Sequence, residues 1–354
     1  MDPVEIDGGR GEGGGSVLRL GAALATVFQR PVRVYNVRAK RNTPGLRPQH
    51  LVGLQALATV SRGRLEGGEI GSTDITFRPG RVEPGCIEVS IGTAGSIGMI
   101  YQALSIACAS LAGAHPVEVS ISGGATYGKW APAVVYVQEV IAPLLARMGF
   151  ETSIEIHRHG FYPKGGASAT MRFHPVHALH GLVLDERGEI TAIEGESIAS
   201  QHLERPRVAK RQASAFVSEM APVNAPRVDI AVSRVQAANP GSGITAWART
   251  TTGCIIGSGS VAGERGLSSE RVGQACARSL LDTLTRSPLA TVDAHASDQL
   301  LPFMLLSKGR SRFIAPPLTG HAKTNLDVAR RFTNRPCQVS SNGEHAIFDF
   351  PPVD

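Results

Sequence analysis

Helical and strand-like hydrophobic periodicities alternate from the start of the chain, and this alternation limits the fold more than any other feature. Residues 17–28 (VLRLGAALATVF) carry an apolar face at helical spacing, and 32–37 (VRVYNV) reads as a strand. Residues 47–61 read as a helix, followed by strands at 64–70 and 74–78. A second round brings a glycine turn at 92–95, a helix at 96–113 and a strand at 116–122. A helix at 132–148 and strands at 152–158 and 167–173 complete it. Two rounds of paired helices with short strands imply repeated α/β modules.

The pattern shifts after about residue 180. Residues 182–200 read as strands joined by a turn at Arg187-Gly188, and 204–220 as a basic amphipathic helix. Residues 227–260 are strand-like, with a break at Pro240-Gly241-Ser242-Gly243, and 268–286 is a helix. The earlier style then returns, with helices at 296–307 and 325–332 around a strand at 311–315. One domain interrupted by a smaller inserted one accounts for this order, and 354 residues suffice for both.

Hydrophobic residues make up 42% of the chain, yet no run of about 18 uncharged apolar residues occurs, so no membrane-spanning helix is expected. The first fifteen residues have neither the basic start nor the apolar run of a secretory signal, and a cytoplasmic protein is the expectation. Cys86, Cys108, Cys254, Cys276 and Cys337 show no metal-binding spacing and are expected to be reduced thiols. The net charge of +6 is compatible with an anionic partner, as it is with many soluble proteins. Of 36 basic residues only six are lysines, and the remaining arginines offer planar forks suited to phosphate oxygens.

Several short segments have chemical content. Six glycines fall within residues 8–15 and lead directly into the first helix, with Glu12 among them. Bare backbone amides before a helix N-terminus favour an anion, although a flexible loop fits the same composition. Arg38, Lys40, Arg41 and Arg47 lie on one strand-to-helix loop, which reads either as a cradle for nucleic-acid phosphates or as a solvated basic loop. Gly123 to Lys129 match GxxxxGK, but Trp130 stands where a P-loop needs a hydroxyl, so no P-loop is assigned. Histidines number eleven, and two have informative surroundings. His295 opens a helix, and His321 lies in Gly320-His321-Ala322-Lys323-Thr324-Asn325, before a helix for which Thr324 or Asn325 would serve as N-cap. His321 is either a nucleophile toward a bound phosphate or a structural histidine.

These segments, in this order, resemble the RNA 3′-terminal phosphate cyclase family. The matching pieces are DGGRGEGGGSVLRLG (7–21), VRAKRNTPGLRPQHL (37–51), IGTAGS (91–96), SGGA (122–125), HGFYPKGG (159–166), ASDQLLPFMLL (296–306) and GHAKTNLDVARRF (320–332). The resemblance implies an α/β (α+β) fold of three repeated modules, each a four-stranded sheet with two helices. These would form a catalytic domain from residues 1–181 and 277–354, with a smaller α/β domain inserted at 182–276.

It further implies ATP-dependent conversion of RNA 3′-phosphate ends to 2′,3′-cyclic phosphates, with Mg²⁺ or Mn²⁺, through an adenylylated histidine and an RNA-adenylate. His321 falls on the nucleophile. Glu12 falls on the residue near the metal and the nucleotide phosphates, and Arg19, Gln49, Pro132, His295, Asp298 and Gln299 on residues around ATP. Arg38 and Arg41 fall on phosphate-holding cations, here expected to meet the RNA. His295 stands where a family enzyme has Tyr, and no aromatic near 250–262 matches the one expected against the adenine. Noncatalytic cyclase-like proteins that serve ribosomal RNA processing lack the histidine that this chain keeps. An enolpyruvyl transferase, whose fold uses similar repeated modules, is the rival from another class. None of the six lysines begins the KxDG sequence of ordinary nucleic-acid ligases. Neither the oligomeric state nor the physiological RNA is legible in the sequence.

Overall fold

The structure, a computed structural model, describes residues 2–11, 14–128, 131–223 and 225–353. The first module comprises β1 (Val4–Asp7), α1 (Gly15–Phe28), β2 (Val32–Tyr35), α2 (Pro48–Val60), β3 (Arg64–Glu66) and β4 (Ile75–Arg78), with sheet order β1-β2-β4-β3. The second begins with β5 (Gly85–Ser96), α3 (Ile97–Cys108) and β6 (Val117–Ala125). Helix α4 (Val134–Tyr136) then runs through a π turn (Val137–Ile141) into α5 (Ala142–Arg147). Strands β7 (Thr152–Arg158) and β8 (Ser168–Phe173) complete the second sheet in the order β5-β6-β8-β7.

Strand β9 (Val183–Leu184) is followed by a block with its own sheet and core. The block holds β10 (Ile190–Ser200), α6 (Val208–Met220), β11 (Val228–Val235), β12 (Ser242–Thr250), β13 (Ile255–Ala262) and α7 (Ser269–Arg286), in sheet order β11-β10-β12-β13. The chain returns with α8 (Ala294–Leu306), β14 (Ser311–Ala315), α9 (Gly320–Ala329), β15 (Gln338–Ser341) and β16 (Ala346–Phe350). These pair with β9 in the order β15-β16-β14-β9. In all three modules the first two strands are parallel and the other pairings antiparallel. The expectation of three repeated modules is met.

Alternation along the strands sets the layering. β1 (VEID) and β2 (VRVY) bury every second side chain, while Glu5, Arg33 and Asp74 pair on the exposed face of their sheet. The helices therefore face inward. Eleven of the fourteen residues of α1 are buried, and α1 packs against α2, α3 and α9, which explains its nearly uniform apolar sequence. Phe28 stacks with Phe332 at 6.1 Å and Phe150 meets Phe303 at 6.2 Å, joining the third module to the first and second.

The structure moves several expected boundaries. Val183–Leu184 pair with Phe313 and Arg312 of β14, and so belong to the third module rather than to a block starting at 182. Helix α7 continues past 276 because Leu280 and Leu284 sit in the block's own core, so the sheet, helices and core of the block occupy 190–286. Helix α3 stops at Cys108, not near 113. Strand β5 continues to Ser96 through the expected glycine turn at 92–95. Helix α9 starts at Gly320, because Thr319 caps it by accepting from Ala322 N at 2.9 Å; neither Thr324 nor Asn325 is the cap. Strands β15 and β16 carry no clear sequence signal and were not expected. All five cysteines are unpaired.

One glycine of the N-terminal loop is required by packing. A Cβ at Gly15 would lie 2.0 Å from the His50 ring, so the first turn of α1 can seat on α2 only without a side chain there. Gly15→Ala is therefore expected to cost about 1–3 kcal/mol in urea-unfolding measurements. A cost near zero would mean that His50 moves aside freely.

Candidate active site

The first helices of the three modules, α1, α3 and α8, converge on one cavity of about 430 Å³. Each contributes residues at helical spacing: Ser16, Arg19 and Leu20 from α1; Met99, Gln102, Ala103 and Ile106 from α3; His295, Asp298, Gln299 and Pro302 from α8. Helix α9 adds His321 and Asn325 from its N-terminal half. Ala131, Pro132 and Tyr136 form another wall, and Gly259 and Ser260 of β13 close it from the inserted block. That closure needs small residues. A Cβ at Gly259, where φ is +69°, would lie 2.8 Å from the His295 ring, and one at Gly257 would lie 2.4 Å from the Tyr136 ring.

A hydrogen-bonded frame holds the wall. Tyr136 donates to Asp293 Oδ1 at 2.7 Å, and the same carboxylate caps α8 by accepting from His295 N at 2.9 Å and Ala296 N at 3.1 Å. Its Oδ2 accepts from Gly257 N at 2.8 Å, so Asp293 links the second module, the inserted block and α8. Ala133 N donates to Ser260 Oγ at 3.1 Å.

The electrostatics centre on Arg19. It is 7% exposed, and burial pulls its pKa down to about 10, so it stays charged at neutral pH. Among the described residues no carboxylate pairs with it. Its Nη1 instead donates to His50 Nδ1 at 3.2 Å, and burial together with the charges of Arg19, Arg38 and Arg47 pushes His50 down to about 3. The imidazole is therefore a neutral acceptor. Arg19 Nε, Ser16 Oγ and Gln299 Oε1 all lack hydrogen-bond partners within the described residues. Buried polar atoms of a folded protein are rarely left so, and a buried unpaired cation is costlier still. Donors and a positive charge beside a helix N-terminus fit a multiply charged oxyanion. On the α9 side, Asp298 accepts from Thr319 Oγ1 at 2.7 Å, and burial pushes its carboxyl up to about 6 against the opposing influence of His321 and His295.

Comparison with known proteins identifies the relatives of this chain. The family model described as RNA 3′-terminal phosphate cyclase matches residues 10–339. A protein of that name from Pyrobaculum aerophilum is 40% identical over 330 residues, covering 93% of this chain and 92% of its own. Others from Methanopyrus kandleri (38%, covering 99% of both chains) and Methanothermobacter thermautotrophicus (41%, covering 95% and 96%) are similarly alike. The chain belongs to the RNA 3′-terminal phosphate cyclase family. A solved EPSP synthase from Acinetobacter baumannii overlays with a TM-score of 0.23 and 8% identity, covering 62% of this chain and 54% of that one, and has no bearing on the fold.

Of the residues expected from the resemblance to the cyclase family, Arg19, Pro132, His295, Asp298, Gln299 and His321 all line the cavity. Glu12 lies outside the described residues, as do Lys129 and Trp130 of the GxxxxGK segment. Gln49, Arg38 and Arg41 do not line it. Gln49 is exposed in the first turn of α2, beside Gly95. Arg41 is exposed, with its Nη2 3.2 Å from where a Cβ on Gly14 would stand, at the start of α1. Arg38 is spent largely on its own loop: Nη1 donates to Thr43 O at 2.7 Å and Gly45 O at 3.0 Å. Sequence reasoning missed Ser16, Tyr136, Asp293 and the small residues of β13. Asp293 could have been found, since an Asp before a helical run is an N-cap signal. The others needed the third dimension.

Two expected outcomes follow from this charge balance. Arg19→Met removes a buried cation that has no carboxylate partner among the described residues and should raise the melting temperature of the ligand-free protein. Pyrophosphate should stabilise the parent protein, by about 2.7 kcal/mol at a hundredfold excess over Kd, and leave the variant unmoved. Equal stabilisation of both would move the anion elsewhere. The second outcome concerns Asp298. Its folded pKa lies above the ordinary 3.8, so the folded state holds the proton longer and stability falls as pH rises from about 4 to about 6. Asp298→Asn keeps an acceptor for Thr319 but cannot ionise. Its stability relative to the parent should grow across that window and level off above it; a difference independent of pH would contradict the burial of the charge.

Proposed function

We propose that this chain converts RNA 3′-phosphate ends to 2′,3′-cyclic phosphates at the expense of ATP, with His321 as the nucleophile. The observation that carries the proposal is that His321 lines the same cavity as the buried Arg19 guanidinium, which no carboxylate among the described residues neutralises. A histidine at the second position of α9, exposed to the cavity, meets a site built for phosphate oxygens. Its family membership supports the same chemistry.

Three displacements at phosphorus make up the reaction. A neutral His321 nitrogen attacks the α-phosphate, a P–N bond forms, and the bond to the pyrophosphate oxygen breaks. An oxygen of the RNA 3′-phosphate then attacks the adenylyl phosphorus, releasing the histidine and leaving RNA capped by AMP. Finally the neighbouring 2′-hydroxyl attacks the 3′-phosphorus, gives up its proton, and expels AMP as the ring closes. Three steps are needed because a bare phosphate monoester lacks a good leaving group.

Arg19 and the amides at the start of α1 hold phosphate oxygens and stabilise the charge that shifts onto the departing pyrophosphate. Pro132, Tyr136 and His295 offer flat surfaces for the nucleoside. Gly259 and Ser260 extend that wall, which supports a role for the inserted block in nucleotide affinity rather than chemistry. Gln299 supplies an acceptor without a partner among the described residues. Arg41, exposed beside the start of α1 and without a side-chain partner among the described residues, is the cation for the RNA, while Arg38 shapes the loop that presents it. Among the described residues no three acidic, histidine or cysteine side chains could hold a metal ion. Mg²⁺ or Mn²⁺ would accordingly come with the triphosphate, with Glu12 as its protein ligand, and would supply charge neutralisation. None of the helices, within the described residues, is long and apolar enough to cross a membrane. Cytoplasmic action on RNA is consistent with that.

His321→Ala and His321→Asn should abolish both covalent labelling by α-labelled ATP and cyclisation of an RNA 3′-phosphate, without unfolding the protein. Full labelling of either folded variant would move the nucleophile elsewhere, with His295 the next candidate.

A further inference from the structure

Helix α8 contains a proline in its interior, Pro302. Proline has no N–H, so the carbonyl four residues earlier, that of Asp298, receives no helical bond from it. That carbonyl is taken by the neighbouring helix: Asn325 Nδ2 donates to Asp298 O at 3.1 Å. Asp298 holds α9 a second time through its side chain, where Oδ1 accepts from Thr319 Oγ1 at 2.7 Å. Thr319 is itself the N-cap of α9. One residue of α8 thus fastens α9 at positions 319 and 325, and His321 lies between them. Asn325 is 8% exposed, so its amide is shielded from competing water. Thr324 in turn closes against Gly11, where a Cβ would stand 2.4 Å from Thr324 Oγ1.

The helix could have been docked by apolar contacts alone, which would leave its rotation and its height along α8 loosely set. Two directional bonds to a single residue fix both. The covalent step needs this, because an attacking nitrogen must stand close to phosphorus and in line with the departing oxygen. We propose that Thr319 and Asn325 are positioning residues which act through Asp298 to aim His321 at the α-phosphate, with Pro302 freeing the carbonyl that makes the second bond possible. This inference rests on the histidine chemistry proposed above.

The test uses the full chain and measures the single-turnover rate of labelling by α-labelled ATP across ATP concentrations, with melting temperature alongside. Thr319→Val and Asn325→Ala should each slow labelling at saturating ATP by about 10- to 100-fold, while half-saturation changes by less than about threefold. Thr319→Ser, which restores the hydroxyl, should return the rate to near that of the parent. Labelling at the parent rate in both variants overturns the inference. So does a defect that vanishes at saturating ATP, which would make the two residues nucleotide contacts, and so does a Thr319→Ser variant as slow as Thr319→Val. If Asn325→Ala does not fold, the Val and Ser pair at position 319 still decides. A parent protein that takes no label contradicts the histidine chemistry itself, a failure distinct from a labelled parent with unaffected variants.

Discussion

Arg19 carries its charge into the middle of the protein with no carboxylate beside it among the described residues, and much of the surrounding structure is arranged around that fact. Removing a cation from water without a partner is expensive, and a sequence that needed only stability would place an apolar residue there. The cost is moderated by His50, whose neutral imidazole accepts one bond without cancelling the charge. What remains is a positive site in a medium of low polarity, where an anion is bound far more strongly than at the surface. Gly15 is constrained by the same arrangement, because its lack of a side chain lets the helix lie against that imidazole.

The repeated architecture makes the convergence possible. Each module turns the polar face of its sheet outward and its helices inward, so three equivalent first helices meet near the middle. Each presents one stripe, and the stripes have diverged: a hydroxyl and a buried cation on α1, mostly apolar on α3, acid and amide on α8. The inserted block enters between β9 and α8, and it touches the site through β13. Asp293 joins three parts of the chain at one carboxylate, so this wall of the cavity depends on the block being seated correctly.

Much of this was legible in the sequence, for identifiable reasons. Helices α1 and α2 carry apolar runs long enough to read directly, and the glycine-rich segment before α1 announces an uncovered helix start. The boundaries of the inserted block were not legible, since Val183–Leu184 are two residues whose partner, β14, lies over a hundred positions away. The start of α9 was misplaced because Thr319, Thr324 and Asn325 are all competent caps, and only the packing of Thr319 on Asp298 selects among them. Arg38, expected to hold phosphate from its cationic loop and from the family resemblance, has a positive φ of 56° and its Nη1 bonds two of the loop's own carbonyls. The repeated α/β pattern followed from periodicity and the count of three modules from the family resemblance, while the bonds that each arginine makes are visible only in the geometry.

The most direct measurement locates the covalent adduct. Protein incubated with ATP and a divalent cation can be digested at neutral to alkaline pH and its peptides mapped by mass spectrometry. Fragmentation then distinguishes His321 from Lys323, two residues away in the same helix. The expected result is AMP on His321, as a phosphoramidate lost in acid and retained in base. AMP on Lys323, on a residue outside the cavity, or on no residue at all while RNA ends are still cyclised, would contradict the central claim that α9 presents its histidine to a phosphate held by Arg19.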